Sequence, residues 1–103
     1  HLQADGLTQV TFTSDRPFVL SRFQDWLARE IPAGVVRAKG VVAFREEPLA
    51  RAIVNLSGRR RLSFEPDGRW EGPIAMHFVL IGRRMDAAAV ARRLPELCAG
   101  SDG

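Results

Sequence analysis

The chain has one lysine, one cysteine, two histidines and no tyrosine in 103 residues. Each shortage closes a door. A phosphate-binding loop of the Walker type needs Gly-Lys followed by Ser or Thr, and the lone Lys39 follows Ala38 and precedes Gly40. With Cys98 as the only thiol no internal disulfide can form, which suits a reducing compartment and leads us to expect a cytoplasmic protein. Cys98, His1 and His77 are too few and too dispersed for a structural zinc site, and His77-Phe78 is not the start of an HExxH helix. No Gly-x-Ser-x-Gly elbow occurs; Ser57 follows Asn55-Leu56. There is no apolar run of roughly 18 residues to span a bilayer and no basic-then-apolar leader, so no membrane partner is expected. His1 in place of a methionine points to a piece of a longer or processed chain.

Basic residues number 15 and acidic residues 12, a net charge of +3. Fourteen of the fifteen are arginine, whose guanidinium does not titrate in the accessible range, so the calculated isoelectric point near 10.4 reflects arginine chemistry more than charge excess. The clusters Arg59-Arg60-Arg61, Arg83-Arg84 and Arg92-Arg93 could track phosphates beside Trp70, as in a small basic nucleic-acid-binding module. Without tyrosine and with so small a net charge, solvated strand ends and helix faces explain them better, and nucleic acid is disfavoured as a partner. Hydrophobic residues at 46% and charged residues at 26% are ordinary for one small globular domain, expected over residues 1–103 with residues 1–6 as a linker end and 100–103 as a tail.

Alternation over Leu7–Ser14 predicts a strand with Val10 and Phe12 inward. Leu20, Phe23, Leu27 and Ile31 then recur at helical spacing, with Trp26 beside the stripe, until Pro32 and Gly34 stop the helix. Val35–Arg45 predicts a strand with Val36, Ala38, Val42 and Phe44 on one face and Arg37, Lys39 and Arg45 on the other; Gly40 marks a bulge or a close backbone approach. Ala50–Leu56 and Arg60–Glu65 follow, with Ala52, Val54, Leu56, Leu62 and Phe64 inward, joined by the Ser57-Gly58-Arg59 turn. Pro66-Asp67-Gly68 reads as a further turn. Met76–Ile81 is apolar on both faces apart from His77, as in a central strand. Asp86 is the expected N-cap of a helix over Ala87–Cys98 that Pro95 bends or shortens. The order β-α-β-β-β-β-α predicts an α+β two-layer sandwich, two helices on one face of an antiparallel or mixed sheet.

Few residues invite chemistry. His77 reads first as a core or half-buried histidine with a backbone partner, and second as a metal ligand or an interface residue. Cys98 reads as a small buried hydrophobe. Glu46-Glu47 reads as a solvated loop pair and is left out of any site. No catalytic, cofactor-binding or metal-ligating residue is assigned.

Laid out in this order, the segments resemble the C-terminal domain of the CobW family, the cobalamin-synthesis-protein and metallochaperone-like GTPases. The resemblance rests on Thr8-Gln9-Val10-Thr11-Phe12, Asp15-Arg16-Pro17-Phe18, Arg22-Phe23 and Trp26-Leu27, and most specifically on Val36-Arg37-Ala38-Lys39-Gly40. It continues through Gly58-Arg59-Arg60, Leu62-Ser63-Phe64-Glu65-Pro66, Gly68-Arg69-Trp70, Val79-Leu80-Ile81-Gly82-Arg83 with Asp86, and Leu94 to Cys98. It implies a noncatalytic accessory domain that follows a GTPase domain carrying the Walker motif and a Cys-x-Cys-Cys metal site. GTP, Mg and Zn or Co are then cofactors of the parent, not of this chain. The implied partners are that N-terminal GTPase domain, a client metalloprotein or a second copy. A physical reading of the strands adds a candidate interaction surface, basic and aromatic: Arg37 and Lys39 on the strand face opposite Val36 and Ala38, Arg60 and Trp70 at or near a hairpin, and His77 in its reading as an interface residue.

Overall fold

The computed structural model describes residues 6–58 and 61–100, so His1, Arg59 and Arg60 lie outside the described residues. Five strands and two short helices run in the order β1 (Leu7–Ser14), α1 (Leu20–Asp25), β2 (Val35–Phe44), β3 (Glu47–Ser57), β4 (Arg61–Arg69), β5 (Met76–Arg83), α2 (Ala87–Arg93). The strands form one sheet ordered β1-β5-β2-β3-β4, antiparallel at every pairing. The expected α+β two-layer sandwich is therefore what forms, with the sheet antiparallel rather than mixed.

Strand pairing turns the alternating sequence into rows. On the helix side, Val10, Leu80, Ala38, Leu56 and Leu62 face one another across the sheet, and Phe12, Phe78, Gly40, Val54 and Phe64 make the next row. Phe23, Trp26, Val90, Leu94 and Leu97 from the helical segments close over these rows. Phe18 and Phe23 stack with ring centroids 4.5 Å apart, and Phe23 meets Phe78 edge-on at 5.7 Å. The smallest residues of the Arg37-Ala38-Lys39-Gly40 segment thus sit under the largest rings.

Gly40 makes the close approach and not the bulge. Its register to both β3 and β5 is unbroken, and a Cβ there would meet the His77 carbonyl oxygen and lie 2.6 Å from Phe78 Cα. The bulges lie at either end of β2. Val35 to Arg37 spans two steps against the single step Gly82 to Ile81, and the extra residue, Val36, is turned outward and 42% exposed instead of facing the core. Ala43, at the second irregularity, is fully buried where the Phe18 segment replaces β5. There the Phe18 N–H donates to the Ala43 carbonyl at 3.0 Å and the Arg45 N–H to the Phe18 carbonyl at 2.8 Å.

Two further expectations are corrected. The first helix changes to a wide π turn over Trp26–Glu30, with the Ile31 N–H donating to the Trp26 carbonyl at 2.8 Å. That wider turn rotates Trp26 fully into the core and leaves Leu27 and Ile31 half-buried. Pro66-Asp67-Gly68 is not a turn between elements but a bulge inside β4, where Gly68 takes a positive φ of 74°. The last helix is shortened at Pro95 as expected: its α-helical part ends at Arg93, and Leu94–Leu97 continues as a 3₁₀ turn. Asp86 caps α2 as expected, its carboxylate accepting the Ala89 N–H at 3.0 Å.

Glu46 is more than a solvated loop residue. Val19 offers no side-chain cap to α1, and Glu46 Oε1 accepts the Leu20 N–H at 3.1 Å from across the fold. That hydrogen bond holds the Glu46 carboxyl below its ordinary value of 4.5, helped by Arg45 and opposed by desolvation. Glu30 is lowered as well, chiefly by its hydrogen bonds from Arg93 at 2.9 Å and 3.1 Å. Groups with a depressed folded value add stability above the unfolded value and lose it as pH falls through the folded one. Wild-type protein is thus expected to melt above Glu46→Gln at neutral pH, the gap closing on acidification. A gap that persists in acid, measured by thermal melts across pH, would contradict a charge-dependent cap.

Candidate interaction surface

The helices cover one face of the sheet, and the opposite face carries the polar half of each strand's alternation. Its central row is Thr11, Val79, Lys39, Asn55 and Ser63; the next is Thr13, His77, Val41, Ile53 and Glu65; Gln9, Ile81 and Arg37 form a third. Val41, Ile53, Val79 and Ile81 are half-buried by their neighbours, so an apolar strip runs through the middle of this face. Arg37 and Lys39 project beside it, both exposed. The face therefore offers an apolar centre with cations alongside.

His77 departs from its first reading. It is exposed, one row from Lys39 and paired across the sheet with Val41 and Thr13, so it belongs to the surface and not to the core. Trp70 does not join this group. It lies beyond the Ala50 end of β3, its Nε1–H donating to the Ala50 carbonyl at 3.1 Å, while Arg37 lies at the opposite end of β2. The Arg51 guanidinium lies 5.0 Å from the Trp70 ring centre and is paired to Asp67 at 3.1 Å. Of the five residues proposed from sequence, Arg37, Lys39 and His77 come together, Trp70 stands apart with Arg51, and Arg60 lies outside the described residues.

Sequence reasoning missed Asn55, Arg51 and the apolar strip, because membership of a row depends on register between strands distant in sequence. Asn55 Oδ1 and Arg51 Nε are buried without a hydrogen-bond partner among the described residues. An asparagine inside an otherwise apolar strand was the available signal. Cys98 is buried as expected, and burial pushes its thiol up against smaller opposing effects from Ser14, 3.9 Å away, and Arg16. A protonated, enclosed thiol is a poor nucleophile and a poor ligand.

Among the described residues no three His, Cys, Asp or Glu side chains come together as a metal site. No helix among them is long and apolar enough to cross a membrane.

Five antiparallel strands, two helices on one side and a cation-bearing face on the other define an open-faced α+β sandwich. Residues 7–98 match the family described as the cobalamin synthesis protein cobW C-terminal domain, and the chain belongs to that family. Among solved structures it is similar to the Zn(II)-bound YjiA GTPase from E. coli, at 20% identity and a TM-score of 0.73. A Zn(II)-bound triple mutant of YjiA GTPase gives 21% identity and a TM-score of 0.75. Each likeness covers 96% of this chain but 33% of the other, so the chain spans about one third of the length of those proteins. No curated protein sequence matches it.

Proposed function

We propose that the chain is the noncatalytic C-terminal accessory domain of a CobW-like, GTP-dependent metallochaperone or cobalamin-synthesis protein of the cytoplasm. Its outer sheet face docks a protein, either the parent's GTPase domain or a client metalloprotein. GTP, Mg and Zn or Co then belong to that GTPase domain. The observation that carries this reading is the outer face itself: the half-buried strip Val41, Ile53, Val79 and Ile81 with Arg37, Lys39 and His77 beside it. Half-buried aliphatics in the middle of a sheet gain from further cover, and flanking cations select an acidic partner and set its orientation.

The test is a titration of the chain with a CobW-family GTPase domain supplied as a separate protein, read by calorimetry and hydrogen exchange. Binding should slow exchange on β2 and β5, and Arg37→Glu with Lys39→Glu should weaken it by roughly ten-fold or more, with a reduced dependence on salt. Binding that protects the helical face instead, or that ignores both charge reversals, would refute the assignment of this surface.

A further inference from the structure

The sheet has two edges, β1 and β4, and they differ in kind. β1 exposes threonines and Gln9. β4 carries two of the four large hydrophobic side chains most exposed in the described structure, Leu62 at 44% and Phe64 at 41%. Both point to the helix side, yet no strand lies beyond them to complete their cover. Together with Gln24, Leu27 and Ala28 they line a groove of about 270 Å³ between the first helical segment and the sheet edge. An unpaired edge with apolar side chains is a template for strand addition.

The usable length of that edge is short. Pro66 has no N–H to donate, and the bulge at Asp67-Gly68 turns the strand away from a straight course. Arg61 to Glu65 is what remains. These five residues, Arg61-Leu62-Ser63-Phe64-Glu65, complement themselves when read in the opposite direction. With a two-fold axis at Ser63, Leu62 of one chain lies opposite Phe64 of the other on the helix side. On the outer side Arg61 lies opposite Glu65, twice by symmetry. Neither Arg61 nor Glu65 has an ion-pair partner among the described residues. A register moved to set Arg61 against Asp67 would run into the bulge, and Asp67 is already paired to Arg51 at 3.1 Å.

We propose that β4 pairs with β4 of a second copy of this chain, antiparallel and centred on Ser63, joining two five-stranded sheets into one. The occupant is a second copy and not an unrelated peptide because charge and apolar pattern match only under the reversal that a two-fold axis imposes. Five residues on each side bury less than a standard interface does, so the association is weak and depends on concentration.

Sedimentation equilibrium of the whole chain over a wide concentration range tests this. Arg61→Glu and Glu65→Arg should each weaken self-association by on the order of ten-fold, since each sets like charges opposite one another at two places, and the double variant should restore it. Both positions are exposed, and circular dichroism checks that the fold is kept. Ser63→Cys should form a disulfide-linked dimer on mild oxidation, which the buried Cys98 does not, while Thr11→Cys on the other edge should not. A chain that stays monomeric throughout overturns the proposal. So does a dimer indifferent to the charge reversals or not restored by the double variant, and so does a monomer whose β4 edge captures only unrelated extended peptides.

Discussion

Alanine at position 40 is expected to cost about 3 kcal/mol of stability, a large share of the roughly 5–15 kcal/mol that holds a small domain together. The space for its methyl group is taken by the His77 carbonyl oxygen, by Phe78 Cα at 2.6 Å and by Phe78 Cδ1 at 2.9 Å. Two of these are backbone atoms of β5, which cannot retreat without opening the ladder between β2 and β5. The penalty is steric and not conformational, because Gly40 is not among the glycines with positive φ. Gly58, in the turn before β4, supplies the contrast: a Cβ there meets nothing within 4 Å, and Gly58→Ala should fall within about 0.5 kcal/mol of wild type. Urea unfolding of both variants decides the matter, and equal midpoints would show that the sheet does not need glycine at position 40.

Trp26→Ala should be costlier still, about 3–5 kcal/mol, because it empties the largest fully buried side chain of the described residues. Trp26 packs against Phe23 and Phe78 at centroid distances of 6.2 Å and 6.4 Å, so the cavity would open between helix and sheet. Leu27→Ala should cost clearly less, although Leu27 and not Trp26 continues the three-and-four spacing of the sequence. A larger loss at Leu27 in the same denaturation measurement would mean that the π turn does not set the helix rotation.

That pair of residues shows where sequence reasoning reaches and where it stops. Periodicity found the helix and Pro32 ended it, but a single wide turn changes which side chain points inward, and no residue type announces such a turn. The strands were legible for the same reason that their edges were not. Alternation places Arg37 and Lys39 on one face and Ala38 on the other whatever the partner strand. The bulge that turns Val36 outward arises from the mismatch between β2 and β5, some forty residues away in the chain. His77 was misread because a histidine set in an otherwise apolar strand reads as part of the core, whereas both helices pack on the Met76, Phe78 and Leu80 side and leave the His77 side open. For the candidate surface, Arg37, Lys39 and His77 could be named one by one. Their common face, and the separation of Trp70 from it, required the register.

The place of β5 between β1 and β2 also governs when the domain can form during synthesis. β2, β3 and β4 are neighbours in sequence and can pair as soon as they emerge from the ribosome. β1 has no partner until β5 arrives, and the core has no lid over β1 until the last helix and Leu97 follow. A chain stopped before Met76 would hold a three-stranded meander and an unattached first strand, with Val10 and Phe12 waiting for the strand that separates β1 from β2. Long-range pairing of this kind is slow to close and leaves apolar edges open meanwhile. The segment from β5 through the last helix thus acts as the keystone of this domain, because the first strand and its side of the core close only when it is in place.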